Sequence, residues 1–268
     1  MSTSPAPFAA CSGHSVDTLV ECAIASRKSQ YAEDLILLPS LLLAAAAPGV
    51  KHRQRPLFVE MGAFDGVAGS NTYLLEMCCG WEGALIEPNP ENYAHLERSN
   101  RTGLMLNRGV CEHAGNFTIS ATGGVFAGVR ESLDPRYKRK AVGEAVVQCD
   151  TLSHLLEGAA RPLPRHITFF SLDVEGAEES VLRGVDLRRV GTLLWETARM
   201  PRTRRMRIEA SLRDAGLVPT NLTIQENTAW TRAEHAMHVV QYPEHPKVRS
   251  RRDKLRAALR TAAAALRL

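Results

Sequence analysis

The chain has 268 residues and a mass of 29.4 kDa; 44% of the residues are hydrophobic and 23% are charged, which suits one sizeable α/β domain and excludes a second full domain. The formal net charge of +4 is concentrated at the C-terminus, where eight Lys or Arg and one Asp follow His245. No aromatic residue is interleaved with these charges, which argues against nucleic-acid binding by base stacking.

The first 56 residues predict a helical extension rather than a targeting signal. Residues 1–10 carry no basic residue, and the first long apolar run, Leu35 to Ala47, comes late and is interrupted by Pro39. A bilayer-spanning helix needs about 20 apolar residues, more than this run supplies. We therefore expect a helix that packs against the sheet, no transmembrane segment and a cytoplasmic location.

The six cysteines show neither a Cys-x-x-Cys pair nor histidines at zinc-binding spacing. They are Cys11, Cys22, Cys78, Cys79, Cys111 and Cys149. Buried free thiols in a reducing compartment are the favoured interpretation.

The most informative motif begins with the apolar run LFVEM at residues 57–61 and turns through Gly62 and Gly66. This pattern predicts a buried parallel strand that turns sharply into a helix. A second apolar strand ends in Glu87, which follows Gly66 by 21 residues. A carboxylate at that distance can accept hydrogen bonds from both hydroxyls of a ribose, so the two segments predict a pocket for an adenosine-containing cofactor.

The turn itself selects among such cofactors. A dinucleotide site favours a third glycine where this chain has Phe64, because a pyrophosphate approaches the backbone there. A side chain at this position crowds a diphosphate but leaves room for the amino-acid end of S-adenosyl-L-methionine. A short-chain reductase would also need a Tyr-x-x-x-Lys pair, and none of the five tyrosines has a lysine four residues later.

Strands alternate with helices along the rest of the predicted core. Strands are expected near 57–61, 83–87, 104–110, 167–173 and 191–196, with helices at 71–79 and 90–99. Residues 115–149 are predicted to form an insertion with strands at 117–120 and 145–149. The stretch between these strands, at 123–140, is rich in glycine at its start and basic toward its end. An antiparallel edge strand is expected from Met237 to Gln241.

Three acids follow the later strands and are candidate catalytic residues: Asp173, Glu175 and Glu196. Asp173 would attract a sulfonium and ammonium or act as a general base toward a hydroxyl, unless it only caps the following helix. The three carboxylates could also bind a divalent cation. Joint binding of a substrate hydroxyl by these residues is favoured instead, and no metal is predicted.

Two clusters of basic residues each allow two interpretations. Arginines at positions 199, 202, 204, 205 and 207 either bind an acidic substrate or begin a solvated helix. In the tail, apolar residues recur every three or four positions, which predicts a basic amphipathic helix. A solvated or partly disordered helix is favoured there over contact with an anionic membrane.

Four motifs, in this order, resemble the FkbM-type S-adenosylmethionine-dependent methyltransferases: FVEMGAFDG at 58–66, IEPNP at 86–90, VQCDTL at 147–152 and LDVEGAE at 172–178. The likeness covers roughly residues 57–218, and the DVEGAE segment is its most specific part. The resemblance implies a single Rossmann-like, doubly wound α/β methyltransferase domain with short additions at both ends. The implied boundaries are an N-terminal helical extension at 1–56, the domain at 57–244 and a basic helix or tail at 245–268.

The resemblance also implies O-methylation of a hydroxyl on a carbohydrate or other small metabolite. A catalytically inactive binding protein of the same fold is the alternative. S-adenosylmethionine would be held by residues from the glycine turn and the two later strand ends, namely Glu60, Gly62, Ala63, Phe64, Asp65, Gly66, Glu87, Pro88 and Asp173.

Overall fold

The computed structural model describes residues 11, 14–46, 55–120, 143–159, 163–198, 200–222, 224–240 and 250–266. The helices in these ranges are α1 (Val16–Ser26), α2 (Glu33–Ala45), α3 (Tyr73–Cys79), α4 (Pro90–Leu96), α5 (Leu152–Glu157), α6 (Glu178–Arg183), α7 (Arg202–Asp214) and α8 (Arg251–Ala265). The strands are β1 (Leu57–Met61), β2 (Glu82–Ile86), β3 (Leu104–Leu106), β4 (Gly109–Val110), β5 (Gly115–Ser120), β6 (Glu144–Asp150), β7 (Ile167–Leu172), β8 (Val190–Glu196), β9 (Leu217–Pro219) and β10 (Asn227–Arg232). Two 3₁₀ turns cover Leu187–Arg189 and Ala233–His238.

Seven strands form the main sheet in the order β3-β2-β1-β7-β8-β10-β9. The first five run parallel, and β10 is antiparallel to both of its neighbours. All residues of β1 and β7 are buried, which is why these strands appear as continuous apolar runs in the sequence. The order reverses between β1 and β7, and in an open α/β sheet ligands bind at the carboxyl ends of the strands beside such a reversal. The predicted doubly wound α/β fold is confirmed.

The sheet is covered on both faces by hydrophobic clusters, and successive residues of β1 alternate between them. Phe58 packs in the first cluster with Leu38 of α2 and Leu259 of α8. Val59 packs in the second with Leu212 of α7. The helix α2 contacts β7, as the sequence predicts. Within the described ranges, none of the helices combines the length and the apolar composition that crossing a bilayer requires.

The C-terminal helix α8 packs against α1 and α2. Leu255, Leu259 and Ala262 are fully buried, and Arg256 Nε lies 2.7 Å from Oδ1 of Asp17 on α1. The expectation of a solvated or disordered tail is therefore wrong, because the apolar stripe is covered by the N-terminal helices. Arg252 and Arg256 also pair with acids of α1, so α8 forms one layer with α1 and α2 on the domain.

Two local predictions differ from the structure. The third strand is divided into β3, in the main sheet, and β4, which joins β5 and β6 in a separate sheet of order β4-β6-β5. The predicted strands at 117–120 and 145–149 are confirmed as β5 and β6, while the stretch at 123–140 lies outside the described residues. The edge strand expected from Met237 to Gln241 is wrong: residues 233–238 form a 3₁₀ turn, residue 241 is not described, and the antiparallel strands are β9 and β10.

Six cysteines form three disulfides: Cys11–Cys79, Cys22–Cys78 and Cys111–Cys149. The interpretation as free thiols is therefore wrong. The two adjacent cysteines of α3 bond to different parts of the N-terminal segment, over sequence separations of 68 and 56 residues. No local spacing rule can detect such pairs, since connectivity follows from helix packing.

Candidate functional site

A cavity of about 510 Å³ opens at the carboxyl ends of β1, β2, β7 and β8. Its walls combine the glycine turn after β1, the tip of β2, the segments after β7 and β8, and the connection between α1 and α2. The cavity thus lies beside the reversal of strand order, where this architecture binds ligands.

The glycine turn is fixed by its close approach to the end of β7. Gly62 has a φ of +84°, and a Cβ built on it would lie 1.8 Å from the carbonyl oxygen of Asp173. Its N–H donates to the Ile86 carbonyl (3.0 Å), so the turn also joins the end of β2. Phe64 adopts a left-handed backbone at φ +51°, which is uncommon for a side chain of this size and is typical of strained binding segments. Gly62, Ala63 and Phe64 all line the cavity.

Glu87 is a buried carboxylate at the tip of β2, with 4% of its surface exposed. Its Oε2 accepts the Phe64 N–H (2.9 Å) and its Oε1 accepts the Asn89 N–H (2.8 Å). Burial raises the pKa of Glu87 to about 7, although the bonds from Asn89, Phe64 and Asn92 oppose the shift. A carboxylate has about four lone-pair sites, so Glu87 retains acceptor capacity toward hydroxyl groups of a ligand.

Glu60, the fourth residue of β1, lines the cavity but mainly organises the loop that follows the glycine turn. Its Oε2 accepts the hydroxyls of Ser70 (2.8 Å) and Thr72 (2.7 Å), and its Oε1 accepts the Asn71 N–H (2.7 Å). Arg101 lies 3.6 Å from the same carboxylate. Glu60 therefore shapes the site through residues 70–72.

Arg101 is a structural residue of the site that sequence reasoning missed. Its buried guanidinium donates to Oε2 of Glu76 (2.7 Å), to the Gly66 carbonyl (2.6 Å) and to the Thr72 hydroxyl (2.8 Å). These bonds hold the loop after the glycine turn against α3. Arg101 follows α4 without any recognisable motif, so the sequence offers no signal for this role.

Asp173 lies directly after β7, and its backbone N–H donates to the Met61 carbonyl (3.1 Å). Asp173 is solvent-exposed where it lines the cavity, but many protein atoms lie around its carboxyl group. The resulting partial desolvation, with the charges of Glu178, Glu33 and Glu60 adding to it, raises the pKa of Asp173 to about 6. The helix-cap interpretation is not supported, because α6 begins after Ala177 and has no side-chain cap.

Glu196 ends β8, is partly buried and lines the cavity with Glu175 and Asp173. Burial raises the pKa of Glu196 to about 8, and the charges of Asp173, Glu175 and two further acids contribute. Glu175 has a left-handed backbone at φ +52°. In the part of the chain that the structure describes, no group of three or more His, Cys, Asp or Glu is arranged to hold a metal ion.

Three residues predicted to bind the cofactor do not line the cavity: Asp65, Gly66 and Pro88. Oδ1 of Asp65 accepts the N–H groups of Val67 (2.8 Å) and Ala68 (2.7 Å), so this carboxylate closes its own turn. Gly66 faces Leu96, where a Cβ would lie 2.6 Å from the side chain.

None of the described arginines after Glu196 lines the cavity. Arg204 donates to the Gly176 carbonyl (2.9 Å), and Arg207 pairs with Glu179 (2.8 Å). Arg205 pairs with Glu209 one turn along α7 (2.7 Å), while residue 199 lies outside the described residues. Binding of an acidic substrate by this cluster therefore stays a prediction, and the ion pairs on α7 favour the alternative of a solvated helix start.

Several cavity residues come from segments in which the sequence showed no motif. They are Lys28, Gln30, Tyr31 and Glu33 between α1 and α2, Asn71 and Ser171 near the glycine turn, Asn92 on α4, and Glu226 and Asn227 at β10. Most are brought in by long-range packing.

Comparison with known proteins identifies a family to which the sequence of this chain is similar. The profile of the methyltransferase FkbM domain matches residues 60–215. Among solved structures, a methyltransferase FkbM from Methylobacillus flagellatus KT is similar at 14% identity with a TM-score of 0.42; the match covers 81% of the present chain and 57% of that one. A precorrin-6y C5,15-methyltransferase from Geobacter metallireducens GS-15 is similar at 11% identity with a TM-score of 0.31, over 71% of this chain and 84% of that one.

No curated protein sequence matches the chain. The match to the Methylobacillus protein spans little more than half of that protein's length. The profile match covers more than half of the present chain and contains the glycine turn, Glu87, Asp173 and Glu196. On this match, the chain belongs to the methyltransferase FkbM domain family.

Proposed function

We propose that this protein is an S-adenosylmethionine-dependent methyltransferase that acts on a hydroxyl oxygen of a carbohydrate or other small metabolite. The observation that carries the proposal is Glu87, a buried carboxylate at the tip of β2 whose Oε2 accepts the Phe64 N–H of the glycine turn and whose Oε1 accepts the Asn89 N–H. Membership of the FkbM family supports methyl transfer as the reaction class.

The residues present fit the cofactor. Glu87 would accept the ribose hydroxyls, and the turn from Gly62 to Phe64 would take the methionine end. Oδ1 of Asn71 is a buried acceptor without a protein partner among the described residues, and Asn71 lines the same cavity, which suits an ammonium donor. When bound, S-adenosylmethionine supplies an electrophilic methyl group on a sulfonium.

The chain's own contribution to the reaction is to position an acceptor hydroxyl and remove its proton. The raised pKa of Asp173, about 6, suits a base that works near neutral pH. While the oxygen–methyl bond forms and the methyl–sulfur bond breaks, leaving a neutral thioether, a carboxylate oxygen of Asp173 would take the proton of the hydroxyl. Glu196, with a pKa of about 8, is protonated at neutral pH and would donate a hydrogen bond to the same acceptor.

The three disulfides bear on where such an enzyme works. Structural disulfides form and persist mainly in oxidising compartments. The cytoplasmic location expected from the sequence was inferred from the lack of a convincing signal peptide or transmembrane segment; on the disulfides, we propose an oxidising compartment instead. Mass spectrometry of protein from its native host, alkylated before reduction, would test this; six alkylated thiols would contradict it.

Calorimetry and a transfer assay test the function together. The purified protein should bind S-adenosylmethionine and its demethylated product but not NADH, and it should transfer a labelled methyl group to a hydroxylated compound in a panel of sugars and phenols. Cofactor binding without transfer to any member would favour the alternative, a binding protein that has lost catalysis. Binding of NADH with no binding of S-adenosylmethionine would refute the proposal.

A further inference from the structure

We propose that residues 28–33, together with Glu226 and Asn227, form the acceptor subsite of the cavity, and that this subsite takes a hydroxylated acceptor carrying an ammonium group rather than a phosphate or carboxylate. The inference rests on the proposed function. It assigns the acceptor side of the pocket to segments that lie outside the matched family domain.

The cavity divides according to where its residues lie in the chain. The glycine turn, Glu87 and Asp173 lie within residues 60–215, the range of the family match. Lys28, Gln30, Tyr31 and Glu33 precede that range, and Glu226 and Asn227 follow it. We refer to these six residues as the outer wall. The matched domain supplies the cofactor side, so the outer wall is left to meet the second substrate.

Glu33 joins the two parts of the outer wall. Its side chain is buried; Oε2 accepts the Tyr31 N–H (2.7 Å), and Oε1 accepts the side-chain amide of Asn227 (2.9 Å). Asn227 is paired across the sheet with Glu196 at the tip of β8. The wall is therefore a preformed surface that reaches the proposed reaction centre.

The outer wall is also fixed to the rest of the site. Lys28 O accepts the Gly69 N–H (3.1 Å), and Ser29 forms a β-bridge with Gly69. Oδ2 of Asp34 accepts the N–H groups of Lys28 (3.2 Å) and Ser29 (3.4 Å). The Cys22–Cys78 disulfide ties the preceding helix α1 to α3. A segment anchored at this many points can select between substrates, since its groups are held before a ligand arrives.

The charges that line this end of the cavity are mostly negative. Glu33, Asp173, Glu175 and Glu226 are carboxylates, Glu196 is protonated at neutral pH, and among the described lining residues the cation is Lys28. The Lys28 ammonium lies 5.5 Å from the centre of the Tyr73 ring. The charged side chains with the largest effects on the pKa values of Asp173 and Glu196 are acids, and each of them raises the pKa. The sulfonium of the cofactor adds one positive charge, which is fewer than the carboxylates present.

This charge balance selects among hydroxylated acceptors. A phosphate or carboxylate would bring a further negative charge into a partly desolvated group of acids, where Coulomb repulsion is weakly screened. An ammonium group would instead be attracted, and it supplies N–H donors that carboxylates accept in charge-assisted bonds. Polar hydroxylated acceptors also suit the side-chain amide and hydroxyl that Gln30 and Tyr31 contribute.

The test compares three acceptors built on one ring, D-glucosamine, D-glucose and D-glucose 6-phosphate, at pH 7. Binding of each to the protein saturated with S-adenosylhomocysteine is measured by calorimetry, and transfer from labelled S-adenosylmethionine is measured in parallel. We expect glucosamine to bind at least about tenfold more tightly than glucose, and glucose 6-phosphate to bind more weakly than glucose. Equal binding of glucosamine and glucose, preference for the phosphate, or binding of none of the three would overturn the inference.

Two variants test whether the outer wall causes the preference. Glu33→Gln removes one carboxylate and should lower the glucosamine-to-glucose ratio by about three- to tenfold. The double variant Glu33→Gln/Asn227→Asp returns a carboxylate to the same contact and should restore the ratio. An unchanged ratio in Glu33→Gln would refute the role of this wall. If the parent protein did not bind S-adenosylmethionine, the proposed function would be refuted instead. The two failures are therefore distinguishable.

Discussion

Replacement of Glu87 by Gln tests the cofactor site most directly. Glu87→Gln keeps the shape of the side chain but leaves one acceptor oxygen for the N–H groups of Phe64 and Asn89, which both bond the carboxylate in the parent. The amide NH₂ then faces one of these donors. Leaving a buried donor unsatisfied costs about 1–3 kcal/mol, so the free energy of unfolding should fall by about that amount.

The effect on cofactor binding follows from the ribose bonds that Glu87 is proposed to accept. Hydrogen bonds to a charged group are worth about 1.5–3 kcal/mol, so S-adenosylmethionine should bind about 10- to 150-fold more weakly to Glu87→Gln. Because the pKa of Glu87 is about 7, the carboxylate gains its charge between pH 6.5 and 8.5. Affinity of the parent should therefore rise over this range, and the contribution of Glu87 to that rise should be absent in the variant.

Calorimetry at pH 6.5 and 8.5 measures both effects, and urea denaturation measures the change in folding stability. Glu91→Gln is a matched control, since Glu91 is exposed on α4 and does not line the cavity. It should bind S-adenosylmethionine like the parent. If Glu87→Gln also bound like the parent at pH 8.5 while remaining folded, the assignment of Glu87 to the ribose would be wrong.

Three further predictions concern catalysis, the disulfides and pH. Asp173→Asn should lower turnover by about 10²–10⁴-fold with little change in cofactor affinity, and a variant that keeps more than about half of the parental rate with any acceptor would exclude the general-base role. Cys22→Ser/Cys78→Ser should lower the free energy of unfolding by about 2–4 kcal/mol in urea titrations without a reductant, whereas a change within error would mean that this bond does not form in solution. Glu196 has its pKa raised from 4.5 to about 8, so its contribution to stability is complete below pH 4.5 and is lost as pH rises through 8. Thermal unfolding of the parent should therefore occur at lower temperature at pH 9 than at pH 6, and Glu196→Gln should reduce this difference; an equal difference in both proteins would contradict the assignment.

The sheet could be predicted because its strands are locally encoded. Strands buried on both faces appear as apolar runs, and β1, β2, β7 and β8 were found within a residue or so of their observed ends. The antiparallel strands β9 and β10 were missed because they are short or half-buried, and residues such as Asn227 and Arg232 dilute their apolar signal. The burial of α8 could not be predicted either, since an amphipathic helix does not reveal what covers its apolar stripe.

The residues of the candidate site also divide into those that the sequence predicts and those that it does not. Gly62, Glu87 and Asp173 were identified because strand ends meet at one edge of a parallel sheet, so position in the sequence predicts position in space. Arg101 and Glu33 were not, because each reaches the site through contacts that depend on tertiary packing. Asp65 shows the limit of motif reasoning: it occupies a motif position, but its carboxylate bonds its own turn.

The carboxylates of the cavity connect the stability of this fold to its ligands. Desolvation raises the pKa of Glu87, Asp173 and Glu196 above their ordinary values, so these three groups bind more protons near neutral pH in the folded protein than in the unfolded chain. A fold selected for stability alone would not place acids with raised pKa values at the ends of β2, β7 and β8, because each is costly to ionise there. Hydroxyl, ammonium or sulfonium groups of a ligand lower that cost by bonding or neutralising the ionised form. The acids that destabilise the empty cavity are thus the groups that would favour a cationic cofactor and a proton-donating acceptor once these are bound.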